Sequence, residues 1–143
     1  MSEAPAAAMP NVEDPVSGRF WREAAAGRLS FQVCTECGYV RWPPAPVCPE
    51  CLAVGGDWKP VARGGSVWSF AVYERAYHPD FAAKIPYVVA LIELDAGPRL
   101  ISNLVAIEPE RVRCGLRVRA VFEPAGPEAA LVKFTPEEGE IDE

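Results

Sequence analysis

Residues 34–51 read CTECGYVRWPPAPVCPEC, two Cys-x2-Cys pairs (Cys34/Cys37 and Cys48/Cys51) separated by ten residues. A two-residue gap lets both sulfurs of a pair point into one concavity, where backbone N–H groups can donate to thiolates, and Gly38 relieves the turn sterically. Two such knuckles make a tetrahedron. Four thiolates at about 2.3 Å leave no open coordination position, so the ion expected here is one structural zinc, not a catalytic one. Iron and a metal-free or disulfide state are the alternatives left by the cysteine pattern alone. Rubredoxin-type iron is disfavoured because no glycine follows Cys51 and the separation is short. The stretch therefore predicts a rubredoxin-like zinc ribbon over residues 28–60. A lobe of this size buries too little apolar surface to stand alone, and structural zinc contributes roughly 10–16 kcal/mol in small peptides. Without metal, residues 28–58 are expected to unfold.

C-terminal to the ribbon the pattern changes to period two, in runs bounded by Gly and Pro. Strands are predicted at 66–75 (SVWSFAVYER), 86–94 (PYVVALIEL), 99–106 (RLISNLVA), 116–123 (LRVRAVFE) and 130–134 (ALVKF). The second is continuously apolar, as for a strand buried on both faces or curled through a barrel. Asp95-Ala96-Gly97-Pro98 predicts a tight turn, so the second and third strands form a hairpin. In the fourth, Leu116, Val118, Ala120 and Phe122 share one face and Arg117 and Arg119 the other. Five short strands with the longest crossover between the third and fourth predict a closed OB-type barrel over residues 61–135, with an SH3-like barrel as second choice. The fold class is thus mainly β.

N-terminal to the ribbon, Asp14-Pro15 supplies an N-cap candidate and a first-turn proline, and Gly27 a C-terminal stop. A short helix is predicted from about Pro15 to Ala26, within a docking segment 14–27. So short a helix is marginal without packing, so its Phe20-Trp21 pair must dock, on its own chain or on a partner. Residues 1–13, rich in Ala and Pro, predict a disordered arm, and 136–143 an acidic tail.

Composition narrows the function classes. The chain has 143 residues and a net charge of −6, with 50% apolar residues. Residues 31–122 carry nine acids and ten bases, so the body is near neutral and the acidity sits at the C-terminus. Nucleic acid is therefore not the favoured partner, no stretch is apolar enough for a membrane helix, and no secretory signal is evident. A reducing cytoplasm is expected. Cys114 shares the inward alternation of Val112 and Leu116, where a free cysteine acts as a small hydrophobe, and His78 falls in a predicted loop, so no catalytic residue is assigned. Trp42, Trp68, Tyr73 and Tyr87 are expected to pack mostly in the core or between ribbon and barrel. The rigid Trp42-Pro43-Pro44 turn is expected as exposed contact surface. The Arg111, Arg113, Arg117 and Arg119 segment is either a solvated strand face or a phosphate contact. A ribbon with an OB barrel also raises the alternative of a single-stranded nucleic-acid-binding module. Against it, the third strand offers no aromatic residue for base stacking.

The order of motifs is informative as a set. FWREAAAGRL (20–29), the knuckle pair with WPP between them, GSVWSFAVYER (65–75), HPDF (78–81) followed by IPYVVALIELDAGPRLISNLV (85–105), and CGLRVRAVFE (114–123) closely resemble the zinc-ribbon/OB-fold acyl-CoA-associated proteins, long labelled a domain of unknown function. The resemblance covers about residues 15–135. It implies an accessory subunit that binds acyl-CoA, forms hetero-oligomers with thiolase-like enzymes and leaves catalysis to the partner. Those partners include thiolases, acyltransferases and steroid side-chain aldolases, so lipid or steroid side-chain degradation is the expected setting. By the same resemblance, Cys34, Cys37, Cys48 and Cys51 match the metal ligands, Phe20, Trp21 and Leu29 the docking segment, and Trp42, Pro43 and Pro44 the stretch facing partner or pantetheine. Ala45 departs from the family's usual arginine, so Arg41 or the Arg117/Arg119 face is expected to substitute toward the CoA phosphates.

Overall fold

The computed structural model describes residues 10–75, 79 and 86–137. The first nine residues of the expected arm, the His78 position and the end of the acidic tail lie outside the described residues.

Asp14 opens the helical segment. Its Oδ1 accepts from the N–H groups of Val16 (2.8 Å) and Ser17 (3.0 Å). That is the N-cap arrangement expected of Asp14, and the Gly18 N–H donates to Asp14 O at 2.9 Å; the regular helix α1 runs Gly18–Ala25, three residues later than predicted. At its end Gly27 takes φ +81°, and the N–H groups of Gly27 and Arg28 donate to Ala24 O and Glu23 O, each at 3.0 Å. The expected C-terminal glycine stop is present.

Three short strands build the ribbon: β1 (Ser30–Val33), β2 (Val40–Arg41) and β3 (Asp57–Pro60), in the order β2-β1-β3. The barrel follows with β4 (Gly64–Tyr73), β5 (Tyr87–Leu94), β6 (Arg99–Leu104), a 3₁₀ turn at Pro109–Arg111, β7 (Arg117–Pro124) and β8 (Ala130–Pro136). Its order is β4-β5-β6-β8-β7, closed by β7 pairing with the start of β4. β6 and β8 meet in parallel at Leu104 and Phe134 and the remaining pairs are antiparallel. A five-stranded barrel with one parallel seam beside its long crossover is the OB arrangement predicted from the strand spacing.

Two local findings refine the strand reading. β5 alternates strictly, with Val88, Ala90, Ile92 and Leu94 buried and the residues between them partly exposed. Its unbroken apolar run therefore reflects barrel lining on one side and a half-covered apolar face on the other. In β4 the register slips between Val67 and Ser69, leaving Trp68 as an extra residue. Such a bulge bends the strand, and here it turns Trp68 to solvent at 50% exposure, against the expectation of core packing. The Trp68 ring is instead covered by the Arg99 guanidinium, 3.9 Å from its centroid.

A single core joins the lobes. Phe20, Ala24, Leu29 and Phe31 belong to the same buried cluster as Val67, Ile92, Leu116, Val118 and Phe134. Trp21, on the adjacent side of the helix, packs on Ala125 and Leu131 at the barrel end. The helix is thus a wedge shared by ribbon and barrel. Among the described residues, no helix is long and apolar enough to cross a membrane.

Candidate metal centre and its surroundings

The two knuckles converge. Cys34 Sγ lies 3.5 Å from Cys51 Sγ, and Cys37 Sγ lies 3.7 Å from Cys48 Sγ. All four sulfurs fall within 4.8 Å of one another. A tetrahedron with metal–sulfur bonds of about 2.3 Å has edges of about 3.8 Å, so the four thiols fit one ion of zinc size. They do not fit disulfides, which require sulfurs about 2.05 Å apart. Cys34 and Cys48 are buried, and Cys37 and Cys51 reach the surface. The backbone favours charge here. The amides of Cys37 and Glu36 pull the Cys34 thiol down to about 6. Cys51, despite the amide of Ala53, is pushed up to about 12 by Cys34 and by burial. Four thiols so close compete against one another's ionisation, and a bound divalent ion supplies the charge that lets all four deprotonate.

Arg41 braces this lobe from within. It is 1% exposed, and its guanidinium donates to Ala45 O at 2.5 Å and Gly55 O at 2.8 Å. Those carbonyls flank the second knuckle on either side, and Gln32 Oε1 accepts from the Ala45 N–H at 2.8 Å. The expectation that Arg41 faces CoA phosphates is corrected accordingly. The β1–β2 pairing turns its side chain inward, and both guanidinium nitrogens that donate are engaged by backbone carbonyls.

The other expected contact residues divide by burial. Phe20 (3% exposed) and Leu29 (1% exposed) are interior, so their docking is onto the chain's own core. The physical reason is the aromatic cluster the ribbon offers. The Phe20 ring lies 4.7 Å from Trp42, 4.9 Å from Trp21 and 5.9 Å from Phe31, and Trp42 stands edge-on to Phe31 at 5.5 Å. Trp42 is half-buried by these contacts, Pro44 is half-buried and Pro43 is exposed. The WPP turn therefore keeps only part of the exposed surface expected of it.

Arg117 and Arg119 point outward, as the alternation predicts, but differ in their surroundings. Arg117 forms a bidentate pair with Asp95 at 2.9 and 2.6 Å, and also reaches Glu137 (3.3 Å) and Ser66 Oγ (3.0 Å). The Arg117 guanidinium in turn holds the Asp95 carboxyl below its usual range. Arg119 is exposed. Cys114, expected inward, is exposed because Gly115 and Leu116 turn the chain into β7 there, with the Gly115 N–H donating to Val67 O at 2.8 Å.

Sequence reasoning also missed the most exposed large apolar side chains on the ribbon. Leu52 is 74% and Val54 82% exposed, on the hairpin of the second knuckle. The available signal was that Leu52 occupies the position after Cys-x2-Cys that Gly38 holds in the first knuckle.

A four-thiolate ribbon sharing its core with a closed five-stranded barrel defines a zinc-ribbon/OB-fold protein. Residues 21–54 match the family described as ChsH2, rubredoxin-like zinc ribbon domain, and residues 58–123 match ChsH2, C-terminal OB-fold domain. The chain belongs to the DUF35 family of zinc-ribbon and OB-fold proteins. It is 34% identical over 113 residues to a DUF35 domain-containing scaffold protein of Methanocaldococcus jannaschii, covering 78% of this chain and 79% of that one. It is 42% identical over 118 residues to a probable enoyl-CoA hydratase alpha subunit of Thermomonospora curvata, where it covers 82% of this chain but spans only 36% of that protein. Among solved structures it resembles a chain of the Ltp2-ChsH2(DUF35) aldolase, with a TM-score of 0.79 and 36% identity, covering 89% of this chain and 98% of that one.

Proposed function

We propose that this chain is a non-catalytic, acyl-CoA-binding accessory subunit of a thiolase-like enzyme that acts on acyl-CoA thioesters in lipid or steroid side-chain degradation. The observation that carries the reading is the likeness to the aldolase chain over 98% of that chain's length, in fold and at 36% sequence identity. The hydratase alpha subunit and scaffold names borne by relatives agree with a subunit of a larger enzyme. Cys34, Cys37, Cys48 and Cys51 would hold one structural zinc, whose part is to fix the ribbon. With every coordination position taken by sulfur, no site is left for substrate. The chain's contribution is then shape, exclusion of water and positioning of the CoA moiety, while acid–base residues come from the partner. Trp21, Pro43, Pro44 and the free edge of Trp42 are candidate contacts, with Arg119 the better placed arginine for a CoA phosphate. A reducing compartment, the cytoplasm, suits four thiols reserved for metal.

The test is reconstitution with the Ltp2 subunit of the similar aldolase. Co-elution of the two chains, turnover of an acyl-CoA thioester only by the pair, and saturable binding of that thioester are the expected results. Turnover by this chain alone, or salt-sensitive binding of single-stranded DNA with no response to the thioester, would overturn the reading.

A further inference from the structure

The two knuckles differ where each turn closes. Gly38 follows Cys37 at φ +79°, and Leu52 follows Cys51 at φ +67°. Their N–H groups make equivalent bonds, Gly38 to Cys34 O at 3.0 Å and Leu52 to Cys48 O at 2.9 Å. A knuckle thus requires a left-handed residue at this place, and a side chain held in that conformation is strained relative to glycine. Leu52 recovers little of this inside the chain, being 74% exposed.

Its neighbours extend the same surface. Val47 and Val54 face each other as an isolated antiparallel pair. The hydrogen bonds lie on either side of them, from Gly55 N–H to Pro46 O and from Cys48 N–H to Ala53 O, each at 2.9 Å. Pairs of this type bring their side chains closest together. Val54 is 82% and Val47 39% exposed, so with Leu52 they form an apolar knob on one hairpin beside the metal centre.

The charged residues of the two knuckles themselves are acidic. Glu36 and Glu50 hold the same third position in their Cys-x-x-Cys motifs, and both are exposed, as is Asp57. Across the ribbon, residues 28–60, the cations are Arg28, which pairs with Glu23, the buried Arg41, and Lys59, which lies on β3 two residues beyond Asp57. Four thiolates around a divalent ion would add further negative charge.

We propose that this acidic-rimmed apolar knob, and not the Trp42-Pro43-Pro44 turn, is the ribbon's main docking surface, seated in an apolar pocket of the partner enzyme subunit bordered by Lys and Arg. The proposal rests on the reading of the chain as a partner subunit. Charge complementarity selects the occupant. A second copy of this chain would set Glu36, Glu50 and Asp57 against their own equivalents across a two-fold contact. The chain's own C-terminal residues 138–143 carry four carboxylate side chains and no cation, and are repelled likewise. CoA phosphates meet the same repulsion. A basic-rimmed apolar protein pocket is what remains complementary.

The experiment uses the full-length, zinc-loaded chain and its Leu52→Gly and Glu50→Lys variants, with the purified Ltp2 subunit of the similar aldolase as probe. Leu52→Gly removes the apolar tip while relaxing the backbone, so the free variant is expected to melt no lower than the parent and to retain one zinc. Its affinity for the probe is expected to fall about tenfold or more. Glu50→Lys should weaken binding as well, and the parent's affinity should drop as salt is raised from 50 to 500 mM. If the parent binds and Leu52→Gly binds equally well, the docking surface is overturned while the subunit reading stands. If the parent does not bind, both fall. Self-association of the parent that Leu52→Gly abolishes would also overturn the proposal, in favour of a second copy as the occupant.

Discussion

Arg41 carries a positive charge at 1% exposure, and its bonds go to two backbone carbonyls, with Nε lacking a partner among the described residues. Replacing it with methionine keeps much of the volume but strips Ala45 O and Gly55 O of their donors. A loss of about 2–3 kcal/mol is expected, measured by urea unfolding of the zinc-loaded protein. Arg41→Lys should rescue little of this, since one ammonium cannot span both carbonyls as the planar fork does. Glu23 offers a pH-dependent counterpart. It accepts from Arg28 Nε at 2.9 Å and from Ser30 Oγ at 3.0 Å, and the Arg28 bonds bring its carboxyl down to about 2 from 4.5. A carboxylate with a depressed folded pKa stabilises above its unfolded value and loses that contribution as pH falls through the folded one. Glu23→Gln should therefore cost about 1 kcal/mol at pH 7, an amount kept small by the half-exposed Arg28. The difference from the parent should shrink between pH 4.5 and 2 and vanish below that, as thermal melts across the range would show.

Among the elements, α1 is the joint. Phe20 touches three other aromatic rings and sits in the common core, while Trp21 reaches the barrel end. Phe20→Ala is expected to cost about 3–5 kcal/mol and to loosen ribbon and barrel together, seen as one lowered melting transition. The ribbon itself has two regimes of stability. β1 contributes Leu29-adjacent Phe31 to the barrel core, whereas the knuckles bury almost no aliphatic side chain and depend on the metal. Metal analysis should find about one zinc per chain. Chelation should abolish amide protection over residues 34–56 in hydrogen exchange while leaving β4 to β8 protected. This is narrower than the unfolding of residues 28–58 expected from the lobe's size alone, because the shared core retains β1.

For the molecule as a whole, function follows from how the barrel and ribbon divide their exposed surface. The barrel's β7 face carries Arg117, already bound by two carboxylates, and Arg119, which is exposed. If CoA phosphates meet this face, Arg119→Ala should weaken acyl-CoA binding about fivefold in a titration with the assembled complex. Arg117→Ala should chiefly lower the melting temperature, by unfastening β7 from the Asp95 turn and from Glu137.

The sequence alone determined the four cysteines of the candidate metal site, the positions of the barrel strands and the hairpin between the second and third of them, whereas the choice of an OB over an SH3-like barrel was settled by the long-range β4–β7 and β6–β8 pairings. Cys-x2-Cys spacing, period-two alternation and glycine turns act over a few residues, and no distant contact is needed to read them. Burial of the particular side chains was decided only in the tertiary structure. Arg41 and Leu29 were legible as residues of interest but not as interior ones, and Phe20 was legible as a docking residue without the choice between its own chain and a partner being settled. Their environment is made by β1, β3 and β8, segments up to about a hundred positions away. The bulge that exposes Trp68 and the left-handed turn that displays Leu52 likewise depend on pairing with β5 and on convergence of the knuckles. A local pattern shows which face a residue takes, whereas whether that face is covered depends on what the rest of the chain packs against it.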